Sequence, residues 1–119
     1  MPNFDEVPTG FQAVAASGLS MTGAALGVGW DANGEIVAGA GVSGVIGVAL
    51  GVSTWGGTAK AQVLTAGWLP SQYTPAFAAG AVVYANNTTG ALSTSPTGAT
   101  RVGGMVAFGK GSPLVLLKV

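Results

Sequence analysis

The run GAGVSG, residues 39–44, is the first segment whose spacing suggests chemistry, because it reads as GxGxxG after the strand-like EIVA. In a dinucleotide site such glycines let the backbone approach a pyrophosphate, which rests on the N-terminus of the helix that follows. The residues that follow here, GVIGVALGV, are strand-like, and no Asp or Glu occurs after Glu35 to hold a ribose. The glycines are therefore read as a bend, and no cofactor is expected. Paired carboxylates could perform acid–base work in a desolvated pocket. Asp5 and Glu6, however, sit between Pro2 and Pro8 in a segment read as an extended arm, and Asp31 and Glu35 flank a turn. The chain has no His and no Cys, which removes imidazole bases, thiolates and the usual zinc ligand sets. A nucleophile such as Ser43 or Ser71 would depend on Lys60, Lys110 or Lys118 as base, and no motif places one beside the other. The expectation is a protein that is not an enzyme, with no catalytic residue and no metal.

The elements that carry these residues belong to an unusual composition. The chain has 119 residues, enough for one domain, and 21 are Gly. Four basic and four acidic residues give zero net charge. A self-sufficient soluble domain carries roughly 25–35% charged residues on its surface, so much of this surface must be small and polar or covered by something else. Four bases offset by four acids make no phosphate-binding patch, so no nucleic-acid partner is expected. Residues 36–59 run 24 positions without a charge, the length of a membrane span, but they include seven glycines and make a poor helix. Residues 61–100 also lack charge while being rich in Pro, Ser, Thr and Asn, so no membrane partner is expected. The opening MPNFDEVP has acids where an export signal has basic residues, so none is read there.

Short apolar runs broken by Gly, Asn and Pro are the pattern of an all-β chain. Strands are expected at Gln12–Ala16, Ala24–Trp30, Glu35–Ala38, Val45–Val52, Lys60–Leu64, Ala81–Ala85, Ala91–Thr94, Arg101–Phe108 and Leu114–Val119. Asp31-Ala32-Asn33-Gly34 supplies turn chemistry between two of them, and Asn86–Gly90, which contains two overlapping glycosylation sequons, reads as another turn. The best place for a short helical turn is Pro75–Ala79. VSGVIGVAL at Val42–Leu50 and VGGMVAFG at Val102–Gly109 echo one another, either from a duplicated hairpin or because any Gly/Val-rich β chain matches itself. All four acids lie in the first 35 residues, and Lys60, Arg101, Lys110 and Lys118 lie in the second half. That sorting fits intrachain pairing, or steering between the acidic arm of one subunit and the basic part of a neighbour. Of the tryptophans, Trp30 reads as core, while Trp55 and Trp68 lie near expected turns and could meet a partner chain or stack on a sugar.

Three segments together carry a family likeness: GVIGVAL (Gly44–Leu50), AAGAVVYANNTTGALS (Ala78–Ser93) and RVGGMVAFGKGSPLVLL (Arg101–Leu117). In that order they resemble the small capsid decoration, or cement, proteins of tailed phages, the lambda-type head decoration class, over roughly residues 35–119. The resemblance implies a small β-clip or β-tulip-like barrel of short, bent strands. It implies a homotrimer on the capsid exterior of a virion, partnered by the major capsid protein, and an extended N-terminal arm reaching that partner. On this reading residues 1–10 are the arm and residues 11–119 a single β domain. Phe4 and Val7 anchor the arm, Asp5 and Glu6 orient it, and Trp55, Trp68, Lys60 and Arg101 are expected at a subunit or capsid interface. The alternatives are another virion module (tail tube, head fibre or tail tip) and a carbohydrate-binding β module that uses Trp55 and Trp68.

Overall fold

A computed structural model describes residues 9–19, 21, 24–107 and 113–119. The chain is all-β, a curled antiparallel sheet that forms half of a barrel. In chain order the strands are β1 (Thr9–Val14), β2 (Leu26–Trp30), β3 (Ile36–Ala38), β4 (Gly47–Trp55), β5 (Thr58–Trp68), β6 (Val82–Asn86), β7 (Leu92–Ser93), β8 (Ala99–Val106) and β9 (Leu114–Lys118). They pair in the order β3-β2-β4-β5-β9-β8-β6-β7, and β1 adds to β5.

The register of β4 against β5 explains why adjacent residues of both strands, Val48-Ala49 and Val63-Leu64, are apolar. Val48 lies opposite Leu64, and Ala49 lies opposite Val63. Side chains alternate faces along a strand, so the two pairs point to opposite sides of the sheet. Val48 and Leu64 join a core with Leu69, Val83, Val102, Met105, Val115 and Leu117. Ala49 and Val63 join a second core with Val28, Ile36 and Ala61. The β2-β4-β5 layer is thus covered on both faces where Val48 and Ala49 meet Leu64 and Val63, and it turns polar toward the hairpin end, where Ser53 pairs with Lys60 and Gln62 is exposed.

Bulges feed the first core. Leu50 is the extra residue where Ala49 pairs with Val63 and Gly51 with Gln62, and it packs on that core. Val102 is the extra residue between Gly103, opposite Val83, and Arg101, opposite Tyr84, and it is fully buried there. A bulge re-aims one side chain without changing the alternation beyond it.

The two ends of the curled sheet meet along a seam. Leu26 bridges Ala91, the amide of Gly27 donates to the carbonyl of Gly90 at 2.7 Å, and the amide of Ala40 donates to the carbonyl of Asn87 at 2.8 Å. A shorter closure joins β1 to β3, where the amide of Ala16 donates to the carbonyl of Ile36 at 2.9 Å.

The two turns expected from sequence form as read. Asp31 Oδ1 accepts from the amides of Asn33 at 2.8 Å and Glu35 at 2.9 Å, and Gly34 supplies the left-handed backbone with φ 74°. Asn86 Oδ1 accepts from the amides of Thr88 at 2.8 Å and Thr89 at 2.9 Å. Other expectations are corrected. The one 3-10 turn among the described residues is Ser71–Tyr73, not Pro75–Ala79: the amide of Tyr73 donates to the carbonyl of Pro70 at 2.9 Å, and Thr74 Oγ1 donates to the same carbonyl at 3.1 Å. The two echoing segments are not equivalent either. Val42 lies in a turn and is 74% exposed, while Val102 lies inside β8 and is 0% exposed. β5 runs to Trp68 rather than stopping at Leu64, because β9 pairs with its last residues. β1 begins at Thr9, so Thr9 and Gly10 are in the sheet.

Candidate interaction surface

The GxGxxG run is a bend. Gly39, Gly41 and Gly44 have φ of 83°, 54° and 87°, and the chain passes from them into β4 rather than into a helix. Gly39 also lies against the β6–β7 turn, where a Cβ would stand 2.5 Å from the carbonyl oxygen of Asn87. The segment therefore serves the seam. No group of three or more acids that could hold a metal ion occurs among the described residues. No helix among them is long and apolar enough to cross a membrane.

The interface residues expected from sequence fall into two places. Lys60 lies on β5 opposite Ser53 of β4 and Val14 of β1, and the backbone of Trp55 pairs with Thr58 at the same hairpin end. Trp68 and Arg101 belong to the other end of the molecule. Trp68 lies opposite Leu116 of β9, and Arg101 lies opposite Tyr84 of β6. β5 separates the two groups, so the four residues do not form one site. Phe4, Asp5, Glu6 and Val7 lie outside the described residues. Trp30 is half-buried against the second core, and its ring stacks on Phe11 with centroids 5.8 Å apart and planes 13° apart.

The end that holds Trp68 and Arg101 carries a broader feature. On β9, Val115 and Leu117 point inward and are fully buried, so Leu114, Leu116 and Lys118 point outward. Pairing extends that outward face in rows. Trp68, Leu116, Gly104 and Val82 lie side by side across β5, β9, β8 and β6. Arg101 and Tyr84 form a neighbouring row, and Val106 lies opposite Leu114. Between β8 and β9 this face is hollowed into an open groove of about 590 Å³, lined by Arg101, Gly103, Gly104, Val106, Leu116 and Lys118. Gly104 makes the hollow, because it contributes no side chain between Leu116 and Val82 in its row. The face is apolar across its middle and cationic at the Arg101–Lys118 end. A second, smaller cleft of about 320 Å³ lies at the seam, lined by residues that include Leu26, Tyr73, Pro75 and Leu92.

Sequence reasoning singled out Trp68 and Arg101, and named Lys118 only among the sorted bases; it missed Leu116, Tyr84 and Val82. One signal was present. β9 reads Leu-Val-Leu-Leu-Lys, apolar at both parities until its last residue. A strand with one face in solvent alternates with polar residues, so this one announces a second face that is also meant to be covered.

The sequence matches no protein-family model and no curated relative.

Proposed function

We propose that this chain is a structural virion protein that binds the outer surface of a phage capsid as a homotrimer and cements neighbouring capsomers against the pressure of packaged DNA. The observation that carries this reading is the outward face of β5, β9, β8 and β6. It presents Trp68, Leu116, Val82, Tyr84 and Leu114 across four adjacent strands, on a chain with only four acids and four bases in all. Apolar patches of that kind mark association surfaces. The low charge of the rest of the chain supports burial against other subunits rather than life as a free domain. The two-sided core gives the rigidity that a bridging element needs. Holding capsomers together requires no reacting group: many copies, each binding modestly, act together because a lattice makes their contacts multivalent.

On this proposal Phe4, Asp5, Glu6 and Val7 reach the major capsid protein, and the outward face packs against neighbouring copies. The test is occupancy on purified phage heads before and after expansion, read by cryo-electron microscopy or co-sedimentation, together with the mass of the free protein. Saturable binding to expanded heads supports the reading. Stacked rings of the protein alone would point to a tail tube, and binding to glycans that is lost in Trp55→Ala would point to a carbohydrate module.

A further inference from the structure

Three asparagines lie among the described residues, and their surroundings differ. Asn86 and Asn87 are held by their side chains. Asn86 Oδ1 accepts from the amides of Thr88 and Thr89, and Asn87 Oδ1 accepts from Thr100 Oγ1 at 2.6 Å. The backbone amide that follows each of them is also engaged at ordinary length. Asn87 donates to the carbonyl of Gly98 at 2.9 Å, and Thr88 donates to Asn86 Oδ1 at 2.8 Å. Asn33 is placed otherwise. It is exposed in the β2–β3 turn, and its carboxamide makes no hydrogen bond among the described residues. The next residue, Gly34, is exposed too, with nothing within 4 Å of an added Cβ. The Gly34 amide donates to the carbonyl of Asp31 at 3.2 Å, whereas the other bonds that close this turn measure 2.8 to 2.9 Å.

We propose that Asn33 is a site of spontaneous covalent modification, converting in the folded protein to aspartate and isoaspartate. The deprotonated amide nitrogen of Gly34 attacks Cγ of Asn33, the new C–N bond closes a five-membered succinimide, and the carboxamide nitrogen leaves as ammonia. Water then adds to one of the two imide carbonyls and breaks its bond to nitrogen. Opening at Cγ restores the backbone with an aspartate side chain. Opening at the backbone carbonyl leaves the main chain running through Cγ, as isoaspartate. Water is the co-reactant, and nothing is oxidised or reduced. Three features of the turn favour the step. Glycine leaves the attacking nitrogen unhindered. No side-chain hydrogen bond has to break before the carboxamide swings toward it. The long bond to Asp31 holds the nitrogen weakly. Asn86 and Asn87 lack all three, because Asn87 and the β-branched Thr88 follow them and every group involved is already bonded. The consequence is electrostatic. Four bases would then face five acids, which takes the net charge from zero to −1. The new carboxylate arises between Asp31 and Glu35, in the half of the chain that already holds every acid. The inference concerns the free chain and does not rest on capsid binding.

The test is to incubate the full-length protein in warm, mildly alkaline buffer that leaves it folded, and to follow it by peptide mapping and mass spectrometry. The peptide that holds Asn33 should gain the mass difference between an amide and an acid. It should do so at least about tenfold faster than the peptide that holds Asn86 and Asn87, a barrier lower by about 1.4 kcal/mol or more. Electron-transfer fragmentation should find both aspartate and isoaspartate at position 33, because direct hydrolysis of the side chain would give aspartate alone. Gly34→Ala should slow the conversion at least about tenfold by crowding the nitrogen. Asn33→Asp carries the product's charge from the start, and the aged protein should co-focus with it on an isoelectric gel. No conversion at Asn33, a rate no faster than at Asn86 and Asn87, or aspartate alone at position 33 overturns the proposal. An unchanged rate in Gly34→Ala overturns it as well.

Discussion

The amide of Gly27 donates to the carbonyl of Gly90 across 2.7 Å, and a Cβ placed on Gly90 would stand 2.3 Å from the carbonyl oxygen of Gly27. β2 and the turn that leads into β7 meet here backbone to backbone. Gly39 completes the junction by donating its amide to the carbonyl of Gly27 at 2.8 Å. The curl of the sheet depends on this contact, because no side chain fits between the two backbones.

Gly90→Ala should therefore destabilise the fold by more than about 3 kcal/mol. The methyl group faces both the left-handed backbone, φ 77°, and the carbonyl of Gly27. Gly34→Ala is the matched control. Its φ is 74°, and nothing stands within 4 Å of an added Cβ. It should cost only the backbone term of about 1–2 kcal/mol. Urea unfolding of the two variants checks the difference; equal losses would show that the seam contributes nothing of its own.

Adjacent residues of β5 serve different cores. Leu64→Ala should cost about 2–5 kcal/mol and Val63→Ala about 2 kcal/mol, through lost burial and residual cavity on opposite sides of one sheet. Because β4 and β5 are shared by both cores, each variant should move a single unfolding transition. Two separate transitions in calorimetry would mean that the two cores melt independently.

The outward face should separate association from folding. Leu116→Lys adds a charge beside Arg101 and Lys118 on a half-buried site outside both cores. It should leave the melting temperature of the free chain within a few degrees while lowering self-association and capsid occupancy by at least about tenfold, the effect of losing one anchor of roughly 1.4 kcal/mol or more. Analytical ultracentrifugation and co-sedimentation with heads check it. Unchanged association in a folded variant removes this face from the interface.

Truncation distinguishes the arm from the sheet. Removing residues 2–8 should keep the fold and abolish capsid occupancy. Removing residues 2–10 should also lower stability, because the Thr9 and Gly10 backbone pairs with Ala66 and Leu64. Gly10 sits so close to β5 that a Cβ would stand 2.1 Å from the carbonyl oxygen of Val63. Equal melting temperatures for the two truncations would contradict the role of that end of β1.

Much of the architecture is legible in the sequence because its causes are local. Asp31 and Gly34 dictate a turn through a side-chain acceptor and a left-handed backbone, whatever surrounds them. Asn86 does the same for the next hairpin, and the short apolar runs between such turns can only be strands. The bend at Gly39–Gly44 is local as well. The groove face was half legible: Trp68, Arg101 and Lys118 stood out by type, whereas Leu116, Val82 and Tyr84 look like any strand residues until β9 is set between β5 and β8.

The sequence by itself determined the class of fold, its turns, and the scarcity of charge that calls for a covered surface. Each follows from backbone preference or composition, which need no partner. Only the tertiary structure decided that Val63 and Leu64 feed separate cores, that the glycines at 27, 39 and 90 form one junction, and that Thr9 and Lys118 meet at Ala66. Those relationships join residues far apart in the chain, and they exist only once strand register has fixed which face each side chain takes.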